Sequence, residues 1–451
     1  MDKLISKYGL AAHLALVAVA PLVLKPIAVL WLLALAAVWF IVEPSRLGKE
    51  TLHQARPRMM RTIVRDPVFW VLIFLLIVAS IRAFNTGIML DYNGELEKWV
   101  LTSPQFQYAP GSVEGEGLPH FTCVLLCLVL VTAARHALGK QARLSLALFA
   151  SSFSGLIALV TVIFFRDEMV NRAMLCATDT PVYFGTIYGI YLAISVISLV
   201  SAVENQWPFL LPLVFCGICG NAVGLVMFAP PVIIALYVGI IFILLVYSFV
   251  YLRLKVGRLS DFKALVGIGL ALTLAGIVVM AVMSSDLLAS RIAPFQTGEF
   301  FSVEYLGLRE KVSEFCMRVW TLHPWLGTGL GSFDSALQFY ATEADWKVLP
   351  PLLSGPTAGY WLIMVERGIV GVFALAVPLV LLLIYTIMNL VRGIRLAIPH
   401  PLACLGLLLF VAIGVDLTFA CTVLKPETLV VFALFITLSA NTFPKENKKN
   451  G

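Results

Sequence analysis

Twelve separate stretches of this chain are apolar over lengths that cross a bilayer. They fall near 8–24, 27–43, 67–84, 119–134, 144–165, 181–202, 208–228, 230–251, 262–284, 368–390, 401–421 and 427–442. A helix needs about 20 apolar residues to span the hydrocarbon layer. Such runs leave few soluble folds open, because their side chains would form large greasy patches against water. Composition agrees: 60% of the residues are hydrophobic and 13% are charged, against about 25% charged in a soluble domain. The expected fold is an all-α polytopic membrane protein of about 12 transmembrane helices. It falls into spans 1–9 over 1–284, a long loop with short helices over 285–367, and spans 10–12 with a tail over 368–451.

The basic residues alternate with the spans. Arg46, Lys49, Arg56, Arg58, Arg61 and Arg65 follow the second span, and Arg135, Lys140 and Arg143 follow the fourth. Arg253, Lys255, Arg258 and Lys263 follow the eighth, Arg392 and Arg395 the tenth, and Lys445, Lys448 and Lys449 close the chain. With twelve spans all of these share one side, which the positive-inside rule makes cytoplasmic, with both termini there. The charges thereby read as topology, not as a nucleic-acid surface. The first apolar stretch lacks a small-residue cleavage site and reads as a retained helix, not a removed signal peptide.

The eight cysteines mostly lie inside apolar runs and read as small hydrophobes. Cys216 and Cys219 form a CxxC with no partner pair, so no metal site is expected. Among ionisable residues inside spans, Asp416 stands out; Glu43 and Glu204 sit at or just beyond span ends.

Two loops opposite the basic side are long. One, about 85–118, is mildly acidic; the other runs over about 285–367; both have the length of segments with structure or function of their own. In it, Leu308, Val312, Phe315, Val319 and Leu322 make one apolar stripe at helical spacing, which predicts an amphipathic helix on the membrane surface. Pro324-Trp325-Leu326-Gly327-Thr328-Gly329-Leu330-Gly331-Ser332-Phe333 follows. Its alternate glycines allow close backbone approach, and amides in such a turn can hold an anion. A further helix is expected from about Pro356-Thr357 through Glu366, led into the tenth span by Arg367-Gly368-Ile369-Val370-Gly371.

The order Arg309, helix, Pro324, Gly327-x-Gly329-x-Gly331-x-Phe333, spacer, Glu366-x-Gly368-x-x-Gly371 resembles that of the O-antigen ligase and O-antigen polymerase family of bacterial envelope proteins. The twelve spans and the long loop before the tenth fit the same family. The resemblance implies an enzyme of the bacterial inner membrane. It would move a glycan from undecaprenyl pyrophosphate to an acceptor sugar on the periplasmic face, with no nucleotide, cofactor or metal required. Lipid A–core is the acceptor of the ligases, and another lipid-linked repeat unit that of the polymerases. Cations would hold the pyrophosphate leaving group and a base would take the acceptor's proton.

The resemblance assigns Arg309 to the leaving group and Glu366 to catalysis. Arg172, Arg291 and Arg318, with Gly327, Gly329 and Gly331, are the substrate-binding candidates. Arg172 is read as lying in a short outer loop before Pro181. Two positions depart from the family pattern. Thr357 stands where the family carries a histidine, and Phe228-Ala229-Pro230-Pro231 replaces a segment with an arginine. The base is then Asp179, Glu314, Glu366 or His323, or the reaction needs little base, or the substrate or the activity has changed. Beside glycan transfer stand a transporter, for which Asp416 is the motivating residue, and a non-catalytic scaffold for envelope assembly.

Overall fold

The computed structural model describes residues 11–12, 14–19, 61–84, 89–93, 98–102, 118–136, 138, 140–175, 182–204, 210–229, 231–256, 303–328, 333–342, 345, 359–396, 400–419 and 426–440. The elements are α1 (Pro67–Phe84), β1 (Met89–Asn93), β2 (Lys98–Thr102), α2 (Leu118–His136), α3 (Lys140–Leu175) and α4 (Val182–Glu204). They continue as α5 (Leu211–Phe228), α6 (Pro231–Val256), α7 (Val303–Leu322), α8 (Phe333–Tyr340), α9 (Gly359–Leu396), α10 (Pro401–Phe419) and α11 (Pro426–Ala440). Among the described residues, six helical segments are long and apolar enough to cross a membrane. They lie in α3, α4, α5, α6, α9 and α10; shorter apolar segments lie in α1 and α2. These apolar helices make the chain a helical membrane protein. The expected spans at 27–43 and 262–284 lie outside the described residues, as does most of 8–24.

One expectation changes and two gain detail. The 85–118 loop carries an antiparallel hairpin, with Met89 opposite Thr102 and Asn93 opposite Lys98. The span expected at 144–165 belongs to a 36-residue helix that runs on to Leu175, so Arg172 lies on a helix and not in a loop. The helix expected before the tenth span is present and joins the span at a break at Gly368; the two together carry the label α9.

Small residues set how closely the helices pack. A Cβ at Gly155 would lie 2.7 Å from the Gly217 backbone, and one at Gly217 would lie 3.1 Å from Ser151 O. Hence α3 and α5 touch backbone to backbone, as small residues permit in lipid. Asn221 is buried in the same contact. Its amide donates to Ser151 O at 2.8 Å and Ser195 Oγ at 3.2 Å, and its carbonyl accepts from Ser154 Oγ at 2.7 Å. That satisfies a polar group which would otherwise cost free energy in an apolar interior.

Two helices start with the same device. Asp66 precedes Pro67 and accepts from Val68 N at 3.1 Å; His400 precedes Pro401, and its Nδ1 accepts from Leu402 N at 3.2 Å. A side-chain cap followed by proline at the first helical position satisfies orphan amides with a preset φ. Each cap also ties helix ends together. Asp66 holds Arg135, whose Nη2 lies 2.8 Å from Oδ1, and His136, at 2.9 Å. Arg135 also donates to the Tyr385 hydroxyl at 2.9 Å, joining α1, α2 and α9. His400 Nε2 lies 3.6 Å from Glu204, which accepts from Tyr251 at 2.9 Å, joining α4, α6 and α10. With Nδ1 accepting, the ring proton belongs on Nε2, where Ser201 Oγ lies at 3.3 Å and Glu204 at 3.6 Å. Burial pushes the Asp66 carboxyl up, but hydrogen bonds from His136 and Arg135 outweigh it and hold the group at about 2.

Candidate functional site

The motif gathers where α7, α8 and the first part of α9 meet. Val312, Phe315, Cys316 and Val319 of α7 pack with Phe333, Ala336 and Leu337 of α8 and Trp361 and Val365 of α9. The apolar stripe of α7 is thus covered by protein from Val312 to Val319. The spacing alone does not show that α8 and α9 supply this cover. Leu322, at the end of the stripe, is exposed. Burial pushes the Cys316 thiol up to about 12, which leaves it protonated and unsuited as a nucleophile.

The centre of this unit is a break in α9. Gly368 has φ 58° and ψ −165°, a region essentially restricted to glycine. A break exposes carbonyls on one side and amides on the other. Here each named group has a partner in the segment 324–328. Ile369 N donates to Pro324 O at 2.8 Å, and Val370 N to Trp325 O at 3.1 Å. Val365 O accepts from Thr328 N at 2.8 Å and from Thr328 Oγ1 at 3.1 Å. In an unbroken helix Val365 O would have received Ile369 N. The turn has been inserted into the helix's own hydrogen-bond ladder.

Insertion requires bare backbone on both sides. Gly327 has φ 67°, and a Cβ there would come within 2.6 Å of Val365 O. One at Gly368 would meet Gly327 N at 2.7 Å. These two glycines of the motif, 41 positions apart in sequence, face each other because neither has a side chain. The amides of Gly327 and Thr328 are both committed, to His323 O and Val365 O. These two amides are therefore not offered to an anion.

Glu366, in the last turn before the break, is 5% exposed. Its Oε1 accepts from Phe333 N, the first residue of α8, at 3.3 Å, where a carboxylate meets the positive end of a helix. His323 is buried and shares a 2.7 Å hydrogen bond with the Tyr340 hydroxyl. Both proton-carrying side chains therefore border the same small core. Glu314 lies exposed on α7.

Of the cationic candidates, Arg309 lies on α7 and Arg172 on α3, with side chains outside the described residues. Arg318 is half exposed, and its Nη2 bonds Asp345 Oδ2 at 2.6 Å. Partial burial pushes the Asp345 carboxyl up, but the hydroxyl and amide of Thr342, with Arg318, bring it below the usual carboxylate range. Arg291, Gly329, Gly331, Thr357 and Asp179 lie outside the described residues. Among the described residues, no three His, Cys, Asp or Glu side chains group as metal ligands would.

Sequence reading missed the capping role of Glu366 and the part played by Thr328. The signal was present: a threonine between glycines, and a Glu-Arg-Gly step inside an otherwise helical run. No family model, curated protein or solved structure matches this chain.

Proposed function

We propose that this protein is a membrane glycosyl-transferring enzyme of the O-antigen ligase type. It acts in a bacterial inner membrane with both termini cytoplasmic and the 285–367 segment periplasmic. The donor is a glycan on undecaprenyl pyrophosphate; the acceptor is a sugar hydroxyl, on lipid A–core for a ligase or on a second lipid-linked glycan for a polymerase. One observation carries the reading. Pro324, Gly327, Phe333, Glu366 and Gly368, five of the motif positions behind the family resemblance, contact one another or their immediate neighbours around a single helix break. A motif spread over 45 positions has one spatial reason for its spacing.

In this reading the break fixes α7 against α9 and so fixes where Arg309 stands. Arg309 offsets the charge that develops on the pyrophosphate as the glycosidic bond breaks. Glu366, fixed by its bond to Phe333, is the candidate to accept the hydroxyl proton. The test is twofold. The purified chain should bind a polyprenyl-pyrophosphate glycan, and deleting its gene should alter surface glycans. Failure of both contradicts the proposal.

A transport reading has one observation behind it. Asp416 is buried in α10, within electrostatic reach of the fully buried Tyr237 of α6. An ionisable group at such a place costs free energy and is usually retained for function. Solute uptake abolished by Asp416→Asn would favour that reading over transfer.

A further inference from the structure

The α7 stripe is covered from Val312 to Val319, and an apolar surface is left at its end and at the turn. Leu322 and Trp325 are 52% and 45% exposed. Trp325 is fixed directly to α9, because its carbonyl accepts Val370 N. Val370 begins a row of exposed apolar side chains on α9 that continues through Phe373, Val377 and Val380. The steps of three and four residues make this one face of the helix. On a helix long and apolar enough to span a membrane, an exposed apolar face meets acyl chains. The exposed Leu322 and Trp325 adjoin the start of that row through the Trp325–Val370 backbone bond. One turn back along α7, charge joins the surface, with the exposed Arg318 bonded to Asp345 beside the exposed Met317. From α9 outward, the order is aliphatic side chains, then an indole, then an ion pair. That is the polarity order of a bilayer from acyl chains to headgroups, and indoles concentrate at the boundary.

We infer that the 322–325 turn lies in the interfacial layer of the bilayer, with Trp325 as the anchor that sets the depth of the α7–α8 unit. The occupant of this surface is bulk phospholipid. The backbone bonds that join residues 324–328 to α9 make the anchor rigid, so Gly327 and Glu366 sit at headgroup height and not in open water. Any group that reacts there is met at the membrane surface. This inference is independent of the proposed glycan transfer, since it would hold for a transporter or a scaffold.

The test uses the full chain in phosphatidylcholine vesicles. Tryptophan emission is recorded for wild type and Trp325→Phe, and the difference isolates Trp325. Quenching of that difference is compared for a headgroup nitroxide lipid, a lipid brominated deep in its tails, and aqueous iodide. The headgroup quencher should lower the difference signal at least about twofold, with the deep bromines and iodide each less effective. Strong quenching by iodide with none by either lipid would place Trp325 in water and overturn the inference. Lipid quenching that disappears as protein density rises would assign the surface to a second copy, and overturns it equally. Should the Trp325→Phe protein not fold, a nitroxide on Leu322→Cys replaces it. Its relaxation by oxygen should then exceed that by a water-soluble nickel chelate; the reverse order contradicts the anchor.

Discussion

Thr328 closes the break in α9 by giving both its amide and its hydroxyl to Val365 O, at 2.8 and 3.1 Å. A loop residue thereby replaces the hydrogen bond that Ile369 would have supplied, and Ile369 turns to Pro324 O. Thr328→Val should keep the amide bond and lose the hydroxyl bond. The expected cost is about 1 kcal/mol of unfolding free energy, measured by denaturant titration in detergent.

The glycines on either side of that contact should tolerate nothing larger. Gly368→Ala puts a side chain into glycine-only backbone space and against Trp325. Gly327→Ala does the same against Glu366 and Val365. Each should cost about 3 kcal/mol or more, read as loss of monodisperse protein or a lowered melting temperature. Gly239→Ala and Gly414→Ala are the controls, because a Cβ there meets nothing within 4 Å. Those two should be neutral or slightly stabilising.

Asp66 makes the stability of the opposite end of the bundle depend on pH. Its carboxyl sits at about 2 when folded, below the ordinary 3.8. The folded state therefore favours the charged form. The stabilisation is fully present above the ordinary value and is lost as pH falls through the folded one. Asp66→Asn should cost about 3 kcal/mol near neutrality, since it leaves Arg135 buried beside a neutral group. The gap between wild type and variant should be flat above about pH 5 and close as pH falls from about 4 to 2. Melting curves across that range check the sign.

Much of the fold was legible in the sequence, and much of the site was not. Apolar run length located α1, α2, α4, α5, α6, α10 and α11 to within a few residues, because lipid leaves a spanning backbone little choice besides helix. The hairpin at Met89–Thr102 escaped because short strands in a mixed-polarity loop carry a weak signal. The α7 stripe was visible as a pattern, yet a pattern does not say what covers it. Protein and lipid are equally apolar partners, and only the tertiary contact with Phe333 and Trp361 distinguishes them. Likewise, Gly327 and Gly368 could each be marked as permissive backbone, but that they permit each other depends on a fold-level contact.

Arg318 and Asp345 should behave as a pair. Their bond is exposed, so Arg318→Ala should change stability by less than about 1 kcal/mol, and less still at high salt. If Arg318 acts only by holding Asp345, then Asp345→Asn reproduces whatever Arg318→Ala does, and the double variant adds little. If Arg318 contacts the donor itself, Arg318→Ala raises KM while Asp345→Asn does not.

Glu366 separates architecture from chemistry. Glu366→Gln keeps an oxygen to accept Phe333 N and should leave the melting temperature within a few degrees of wild type. Glu366→Ala removes the acceptor at the start of α8 and should cost about 1–2 kcal/mol. A folded Glu366→Gln protein with transfer lowered at least about a hundredfold would assign it the proton-accepting role. Full activity would leave it as a cap alone.

The central claim is glycan transfer from a lipid-linked donor, and it is tested most directly by reconstituting the purified chain in nanodiscs with an undecaprenyl-pyrophosphate glycan and an acceptor glycolipid. The expected result is a lengthened acceptor together with released undecaprenyl pyrophosphate, both abolished in a folded Arg309→Ala protein. No product with either lipid A–core or a second lipid-linked glycan as acceptor, or product formed equally well by Arg309→Ala, would contradict the account.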